Sequence, residues 1–329
     1  MPYAVIFPGQ GAAAPGVGVA WRDHPAWAVV EEAEDVLDRP LGGLLLEADA
    51  DELAATGASQ LAVLLASLLA WEAFAVAVDD RPVAFAGHSL GQITALIASG
   101  AIERHDGLRL AAERAERSQQ SADRGAGRMA ALIGAEIPIV QRACAGIDAW
   151  LANDNAPGQV VIAGTPAGVD QASDRARDLG VRWVLPVDVG HAFHTPLLSD
   201  VATELRDVLD TLPFRRPEAA VVANTDARPY TDPIVWPDQL ARHLVEPVRW
   251  RESQYALTSL GVDTLVEIGP GQVLAGLARR TVPDVAMRNV TGPDDVTGDA
   301  APPTAAVAAS RRSPAGAPAH SHRIEDARR

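Results

Sequence analysis

The chain has 329 residues, of which 48% are hydrophobic and 22% are charged, so it is long enough for one large domain or two modest ones. Its 28 basic and 43 acidic residues give a net charge of −15, which argues against general binding to nucleic acid or to anionic membranes. Cys144 is the only cysteine, so an intramolecular disulfide is excluded. The amino terminus lacks the basic region and the apolar length of a signal peptide, and no apolar run is expected to approach the length of a membrane span. We therefore expect a cytoplasmic protein that is a monomer.

The first third of the chain alternates between strand and helix patterns. A short apolar run over residues 3–7 predicts a strand, which leads into the turn cluster Pro-Gly-Gln-Gly. A second apolar strand is predicted over residues 83–86, and helical spacing is found over residues 20–37, 60–76, 92–98 and 106–121. This alternation favours an α/β fold with a mostly parallel sheet.

Residues 125–187 have a different pattern. Strand signals over residues 129–133, 149–152, 159–163 and 181–186 are interleaved with helical signals over residues 138–145 and 166–179. The resulting order, strand–helix–strand–strand–helix–strand, is that of the split βαβ, ferredoxin-like unit. We interpret this segment as a small α+β domain inserted into the larger one.

The chain then returns to the larger domain. Helices are predicted over residues 196–212, 237–244 and 252–260, strands over 219–223 and 264–268, and a last helix ends at Arg280. From residue 291 onward there are few large apolar side chains, so this segment cannot offset its ordering entropy. The predicted fold is therefore α/β. It has a large α/β-hydrolase-like domain with a mostly parallel sheet (residues 1–124 and 188–290), an inserted ferredoxin-like α+β domain (125–187) and a disordered tail (291–329).

The most informative stretch is residues 87–91, Gly-His-Ser-Leu-Gly, which lies between a predicted strand and a predicted helix. This is the context of a nucleophile elbow, in which a tight turn forces the central serine into a strained backbone conformation. Gly87 and Gly91 leave room for such a turn, and the helix after Ser89 points its N–H groups at any oxyanion formed there. A chance match is the alternative, because glycine and serine are common turn residues, but the strand–turn–helix context favours a nucleophile.

A serine nucleophile needs a base, and the chain offers 8 histidines. His194 follows an apolar strand and precedes a helix, which places it where the sites of open α/β sheets are found. His88 is adjacent to Ser89, but neighbouring side chains on a tight elbow usually diverge. A capping or packing role for His194 is the alternative at this point, and His191 is equally placed to line a pocket.

Five short motifs follow one another along the chain. They are Phe-Pro-Gly-Gln-Gly at 7–11, Gly-His-Ser-Leu-Gly at 87–91, Asn-Asp-Asn-Ala-Pro-Gly-Gln at 153–159, His-Ala-Phe-His at 191–194 and Glu-Ile-Gly-Pro-Gly at 267–271. With these motifs in this order over about residues 3–280, the chain resembles the malonyl-CoA:acyl-carrier-protein transacylase family, including the acyltransferase domains of polyketide synthases.

The resemblance implies a role for each matching residue. Ser89 would be the acylated nucleophile and His194 its base. The backbone N–H groups of Gln10 and Leu90 would form the oxyanion hole. The family has no acidic third member, and a backbone carbonyl orients the histidine instead. The matching position is His243, where the family often has glutamine, but the role belongs to the main chain.

The resemblance also places the family's carboxylate-binding arginine at Arg114. A malonyl group keeps a free carboxylate, and burying that carboxylate without a partner would be very costly. The planar fork of an arginine satisfies a carboxylate and discriminates against uncharged acyl groups such as acetyl. The alternative for Arg114 is a solvated position on an arginine-rich helix that also carries Arg109 and Arg117, and without the resemblance that alternative would be preferred.

The resemblance implies a substrate pocket and an acyl preference. The pocket residues that match the family are His88, Asn155, His191 and Phe193. In polyketide acyltransferases, His-Ala-Phe-His with an aliphatic residue after the serine, here Leu90, goes with malonyl, whereas Tyr-Ala-Ser-His with glutamine there goes with methylmalonyl. Phe193 can fill the space that an α-methyl group would need, although a methylene-sized preference is worth only about 1–3 kcal/mol.

The function implied is ping-pong transfer of malonyl from malonyl-CoA to an acyl carrier protein, in fatty-acid or polyketide synthesis. A transacylase for another acyl unit and an acyl hydrolase or serine esterase are the alternatives, and an α/β-hydrolase would need an acid such as Asp188 as its third member. A silent carrier-docking module is disfavoured because Ser89 and His194 are both intact.

No cofactor or metal is implied, because CoA and phosphopantetheine are parts of the substrates. Carrier proteins of this kind are usually acidic, so docking to a chain of net charge −15 needs a local basic patch. The candidates for that patch are Arg249, Arg251, Arg279 and Arg280.

Overall fold

Two β-sheets and the helices packed on them make up the computed structural model, which describes residues 2–125, 127–187, 189 and 191–297. The strands are β1 Tyr3–Phe7, β2 Ala84–Gly87, β3 Arg128–Ile133, β4 Ala149–Ala156, β5 Gln159–Gly164, β6 Trp183–Val187, β7 Ala220–Val222, β8 Pro229–Tyr230, β9 Thr264–Ile268 and β10 Ala286–Val290. The α-helices are α1 Ala28–Leu37, α2 Gly42–Leu46, α3 Ala50–Ala54, α4 Thr56–Ala77, α5 Gly91–Ala98, α6 Arg104–Arg124, α7 Ile137–Cys144, α8 Pro166–Asp178, α9 Ser199–Leu209, α10 Trp236–Val245, α11 Trp250–Ser259, α12 Val273–Thr281 and α13 Pro293–Thr297. Short 3₁₀ turns occur at Val19–Trp21, Pro25–Trp27, Pro196–Leu198 and Pro233–Val235.

The larger sheet has the strand order β10-β9-β1-β2-β7-β8, and every neighbouring pair except β7–β8 is parallel. Every residue of β1 and of β2 is buried, which is why both strands read as continuous apolar runs. Because parallel strands end at the same edge, the carboxyl ends of β1, β2, β7 and β9 lie side by side, at Phe7, Gly87, Val222 and Ile268. This edge is where binding sites form in open α/β sheets.

The smaller sheet is antiparallel, with the order β4-β5-β3-β6, and all four strands lie within residues 125–187. Helices α7 and α8 cover one face and enclose a separate core that includes Leu132, Val140 and Ile162. On the opposite face Met129 and Ala163 join the core of the larger sheet. The predicted fold class, a mostly parallel α/β sheet with an additional ferredoxin-like α+β unit, is confirmed.

The carboxyl-terminal part of the larger sheet differs from the sequence-based prediction. Strand β10 was not predicted, because Arg288 and Asn289 interrupt its apolar pattern, yet it pairs in parallel with β9. The predicted tail also begins too early. Asp295 accepts hydrogen bonds from the N–H groups of Thr291 and Gly292, and the buried Val296 holds α13 against the core. The remainder of the predicted tail, residues 298–329, lies outside the described residues.

Helix α4 contradicts the expectation that no apolar run approaches the length of a membrane span. Among the described residues it is the one helix long and apolar enough to cross a membrane, because it has 22 residues and contains an 18-residue stretch of mean hydropathy 1.8. Because 72% of that stretch is buried inside the fold, α4 reads as a central core helix, and by itself it is weak evidence for a membrane. Its first turns carry the polar residues Thr56, Ser59 and Gln60, which are also buried.

Gly91 sets how closely α5 approaches the β1 strand. A Cβ atom at Gly91 would lie 2.7 Å from the Pro8 carbonyl oxygen and even closer to that of Phe7, and neither backbone group can easily move. We therefore expect Gly91→Ala to lower the free energy of unfolding by about 1–3 kcal/mol, the usual cost of overpacking. Thermal or urea unfolding measures this change.

Gly276 provides the matched control, because it also lies in a helix but has open space around the position of a Cβ. Gly276→Ala should raise stability by about 0.5–1 kcal/mol through the better helix propensity of alanine. Equal effects of the two substitutions would contradict the close approach at Gly91.

Candidate active site

Ser89 lies on the sharp turn between β2 and α5, with a backbone φ of 53° in the left-handed region that non-glycine residues rarely adopt. A Cβ at Gly87 would collide with the backbone of Gly91, so the first glycine of the motif permits the turn sterically. The N–H of His88 donates to the Phe7 carbonyl at 2.9 Å, which continues the pairing of β2 with β1 into the turn. The elbow predicted from residues 87–91 is thus present, and it raises the Ser89 side chain above the sheet edge.

Ser89 Oγ lies 2.8 Å from Nε2 of His194, and Nδ1 of the same ring lies 2.7 Å from the main-chain carbonyl oxygen of His243. His243 is in the last turn of α10, where helical carbonyl groups have no partner within the helix and can accept other hydrogen bonds. His194 itself has a φ of 61°, a second strained backbone position at the site. The residues predicted from the sequence as nucleophile, base and orienting carbonyl are therefore in contact.

The His243 carbonyl can only accept a hydrogen bond, so Nδ1 of His194 carries the proton and Nε2 accepts from the Ser89 hydroxyl. Burial, followed by the positive charge of Arg114, lowers the pKa of His194 to about 3. Burial likewise lowers the pKa of His88 and holds that of His243 well below its usual range. All three imidazoles are neutral near pH 7, which is the state in which His194 can accept a proton.

Arg114 projects from α6 to the same point and is 4% exposed. Its Nη2 lies 3.3 Å from Ser89 Oγ, and its Nη1 donates to Oε1 of Gln60 on α4. Burial lowers the pKa of Arg114 to about 10, so the guanidinium is still charged near pH 7. In the part of the chain that the structure describes, no carboxylate forms an ion pair with it. A buried, uncompensated cation beside a serine hydroxyl is a receptor for an anionic group.

The two predicted oxyanion donors also lie at this edge. Leu90 precedes the first turn of α5, and its N–H has no acceptor among the described residues. Gln10 is in the turn that follows β1, and its side chain donates to Thr56 Oγ1 at 2.8 Å. The next residue, Gly11, donates its N–H to Ser59 Oγ. The polar start of α4 therefore fixes the turn that carries the Gln10 N–H.

The four predicted pocket residues fall into two pairs. His88 turns away from Ser89, and its Nε2 lies 2.8 Å from Oδ1 of Asn155. Both residues line a cavity of about 120 Å³ between the Gln10 turn and α12. His191 and Phe193 are buried, with their rings edge to face at 5.6 Å, and Phe193 belongs to the main core.

A separate, open groove of about 940 Å³ lies between α2, α4 and α6. It shares no lining residue with the site.

The Glu-Ile-Gly-Pro-Gly motif has a structural explanation. The carboxylate of Glu267 at the end of β9 accepts the N–H groups of Leu274 and Ala275 at 3.0 and 2.8 Å, and so it caps α12. Leu274 and Val273 line the cavity beside Asn155, so this buried cap fixes one wall of the cavity.

Two polar residues at the site were not predicted from the sequence. Gln60, which binds Arg114, and Asn224, which binds the elbow from the end of β7, are both buried. Each had a signal that was available from the sequence. Gln60 is a lone amide in a strongly apolar helix, and Asn224 directly follows an apolar strand, at the sheet edge where sites form. No group of three or more histidine, cysteine or acidic side chains that could hold a metal occurs within the described ranges.

A mostly parallel α/β fold with a strained serine, a neutral histidine on its hydroxyl and a buried arginine beside it is an arrangement suited to acyl transfer, and the acyl transferase domain family matches residues 4–307. The chain belongs, within that class, to the family of malonyl CoA-acyl carrier protein transacylases. It is 34% identical over 284 residues to the Bacillus subtilis protein of that name, covering 84% of this chain and 89% of that one.

Two solved structures are similar over nearly their whole length. The acyl-carrier-protein S-malonyltransferase of Burkholderia pseudomallei is 36% identical with a TM-score of 0.86, covering 90% of this chain and 98% of that one. A malonyl-transacylase in complex with its type II PKS acyl-carrier protein is 33% identical, also with a TM-score of 0.86 and the same coverage.

The low pKa of His194 leads to a prediction about how the reactivity of Ser89 depends on pH. A pKa of about 3 keeps this imidazole neutral, so we expect the rate at which a fluorophosphonate labels Ser89 to stay constant from about pH 8 to about pH 5. Arg114→Ala removes one of the three causes that lower the pKa of His194, which are burial, the charge of Arg114 and the neighbouring His88. The pKa then rises, His194 becomes protonated at a higher pH, and the acid limb of the labelling profile moves up in pH.

Arg117→Ala is the control, because Arg117 lies one turn along α6 and forms ion pairs with Glu113 and Glu204. Its labelling profile should match that of the unsubstituted chain. An acid limb near the ordinary histidine pKa of 6.5 in the unsubstituted chain would contradict the account.

Proposed function

We propose that the chain transfers a malonyl group from malonyl-CoA to the phosphopantetheine thiol of an acyl carrier protein, through a malonyl-Ser89 intermediate, in fatty-acid or polyketide synthesis. The observation that carries the proposal is the buried Arg114 guanidinium, 3.3 Å from Ser89 Oγ and without a carboxylate partner among the described residues. The names of the relatives, which specify malonyl and an acyl carrier protein, support the same choice of substrates.

In the first half-reaction, Ser89 Oγ attacks the thioester carbonyl carbon of malonyl-CoA and its proton passes to Nε2 of His194. The N–H groups of Gln10 and Leu90 hold the negative charge that develops on the carbonyl oxygen. The carbon–sulfur bond then breaks, and the CoA thiolate takes the proton back from His194. The product is a malonyl ester on Ser89.

In the second half-reaction, the pantetheine thiol of the carrier protein gives its proton to the same Nε2 and its sulfur attacks the ester carbonyl. The carbon–oxygen bond to Ser89 breaks, and Oγ recovers the proton from His194. One imidazole therefore serves both directions. This symmetry fits a reaction in which a thioester is exchanged for a thioester and little free energy changes.

The malonyl carboxylate also affects the base. When it binds Arg114, it neutralises the positive charge that helps to lower the pKa of His194. The imidazole of His194 then becomes a stronger base in the loaded site than in the empty one. A malonyl group is thus favoured in the proton transfer as well as in binding, whereas an acetyl group gains neither advantage.

The hydrolase alternative is less well supported. An α/β-hydrolase triad uses a carboxylate behind the histidine, but Nδ1 of His194 is directed at the main-chain carbonyl of His243. Asp188, the acid considered from the sequence, lies outside the described residues.

We also propose that Phe193 restricts the space around the α-carbon of the acyl group, because it is buried between His191 and His194. The absence of a cofactor, the monomeric state and the cytoplasmic location stay predictions.

Arg114 provides the decisive experiment. Arg114→Ala should reduce the rate of malonyl loading from malonyl-CoA by at least about a hundredfold, because the carboxylate is then desolvated without its partner. Acetyl loading from acetyl-CoA should hold or rise, since an uncharged acyl group does not need the guanidinium. Arg114→Lys should recover only part of the malonyl rate, because a point charge cannot reproduce the fork. Intact-mass analysis of the acyl-enzyme measures both rates.

Two controls accompany it. Arg117→Ala removes a partly buried, ion-paired arginine from the same helix and should leave the malonyl-to-acetyl ratio unchanged. Ser89→Ala should form no adduct with either substrate. The proposal fails if Arg114→Ala slows both substrates equally, or if a malonyl adduct persists on Ser89→Ala.

The four arginines proposed for carrier docking differ in how far their charge is compensated. Arg249 forms an ion pair with Glu252, and Arg251 contacts both Asp154 and Glu136. The two on α12 are exposed and form no ion pair within the described ranges; Arg280 donates to the Gln159 side chain. We propose that the α12 pair, Arg279 and Arg280, makes the larger contribution to binding an acidic partner.

Charge reversal on α12 tests this patch. Arg279→Glu with Arg280→Glu should raise KM for the carrier protein by about tenfold or more at low salt and leave the rate of malonyl loading from malonyl-CoA unchanged. Arg109→Glu is the control, because Arg109 is an exposed arginine on α6, whose buried residues belong to a different core cluster from those of α12. Equal losses in both half-reactions would contradict a docking role.

A further inference from the structure

Asn224 lies two residues beyond the end of β7 and is 1% exposed, although its side chain is polar. Its side-chain amide binds the elbow, and its backbone groups bind α5 and the segment before α11. Its Oδ1 accepts the N–H of Ser89 at 2.9 Å, and its Nδ2 donates to the carbonyl of Gly87 at 2.8 Å. One side-chain amide therefore bridges the elbow on both sides of His88.

These two hydrogen bonds take the place of strand pairing, which ends before the elbow. The register between β2 and β7 pairs Ala86 with Val222, and the ladder ends there because the chain turns at Gly87. Beyond that point neither the Gly87 carbonyl nor the Ser89 N–H has a strand partner, and leaving backbone groups unpaired in a partly buried turn is costly. The Asn224 amide presents an acceptor and a donor in one plane, as a backbone peptide would.

The backbone of Asn224 is fixed as well. Its N–H donates to Oε1 of Gln92 on α5 at 3.0 Å, and its carbonyl accepts the N–H of Arg249 at 2.9 Å. The amide is thus held between the helix that follows Ser89 and the segment that leads into α11. It has little freedom to follow the elbow if the elbow moves.

We propose that Asn224 is a positioning residue that holds Ser89 in its left-handed conformation and so keeps Oγ aligned with His194. The proposal rests on the proposed role of Ser89 as the nucleophile. A second consequence follows from the same contacts. The Ser89 N–H is occupied by Asn224, so it is not a donor to the oxyanion, and that task is left to the N–H groups of Leu90 and Gln10.

The test uses a fluorophosphonate, which reads out the alignment of Ser89 without CoA or carrier protein. Oγ forms a bond to phosphorus, the phosphorus–fluorine bond breaks with loss of fluoride, and the Ser89 proton passes to His194. Asn224→Ala should slow labelling per folded molecule by about ten- to a hundredfold, the scale expected when a reacting group is misplaced. Asn224→Asp keeps the acceptor for Ser89 and loses the donor to Gly87, so its rate should fall between those of Asn224→Ala and the unsubstituted chain.

Malonyl loading, measured on the same proteins, should show the loss in kcat, with KM for malonyl-CoA changed by less than about threefold, because Asn224 touches no predicted substrate group. Thr225→Val is the matched control. Thr225 is the next buried residue and donates to Gln239, away from the elbow, so its loss should lower stability and leave the labelling rate unchanged.

The proposal is overturned if correctly folded Asn224→Ala is labelled within about twofold of the unsubstituted rate, or if Thr225→Val shows the same loss. If Asn224→Ala does not fold, the rate of Asn224→Asp decides by the same criterion. Failure of the proposed function gives a different result, because the unsubstituted chain would then be labelled by the fluorophosphonate without accepting malonyl.

Discussion

The site depends on one strained backbone position, the left-handed conformation of Ser89. Its φ of 53° is unfavourable for a residue with a side chain, so the neighbouring structure must hold it in place. The constraint comes from three directions. The β1 backbone binds His88, the Asn224 amide binds the peptides on either side of it, and close contact with the Phe7 and Pro8 carbonyls leaves no space for a side chain at Gly91.

A second constraint is the low dielectric of the same edge. Arg114 and the three imidazoles of His88, His194 and His243 are all buried, and burial is the largest cause of the lowered pKa of each. Only the guanidinium remains charged near pH 7. The empty site therefore holds one uncompensated positive charge, and a substrate that brings a negative charge relieves this cost when it binds.

Much of the fold could be predicted from the sequence because its signals are local. The buried strands β1 and β2, the elbow at residues 87–91 and the order of elements in residues 125–187 each follow from apolar runs, turn residues and periodicity within a short window. Strand β10 could not be predicted in this way. Its residues satisfy no apolar pattern, and its pairing with β9 is a property of the assembled sheet.

For the site, the individual motifs could be predicted from the sequence, but the contacts between them could not. Ser89 and His194 belong to motifs, but they are 105 residues apart, and only the fold brings them to 2.8 Å. Arg114 illustrates the limit most clearly, since its helix also carries the exposed Arg109 and the partly buried, ion-paired Arg117. Nothing in the helix pattern alone distinguishes the arginine at the site from these two. Asn224 is 135 residues from Ser89, so its contact with the elbow depends on the register of β7 beside β2.

The main-chain carbonyl behind His194 preserves the uncompensated charge of Arg114, which a carboxylate in its place would not do. A carbonyl fixes the tautomer of the imidazole as well as a carboxylate does, since either accepts the Nδ1 proton. A carboxylate, however, would add a negative charge to the same buried volume and compensate the guanidinium in the empty site. The gain on binding an anionic acyl group would then be smaller, and the discrimination against acetyl would weaken with it. Orienting the base with a neutral dipole leaves the positive charge for the substrate, so the missing third acid and the selective arginine are two parts of one electrostatic arrangement.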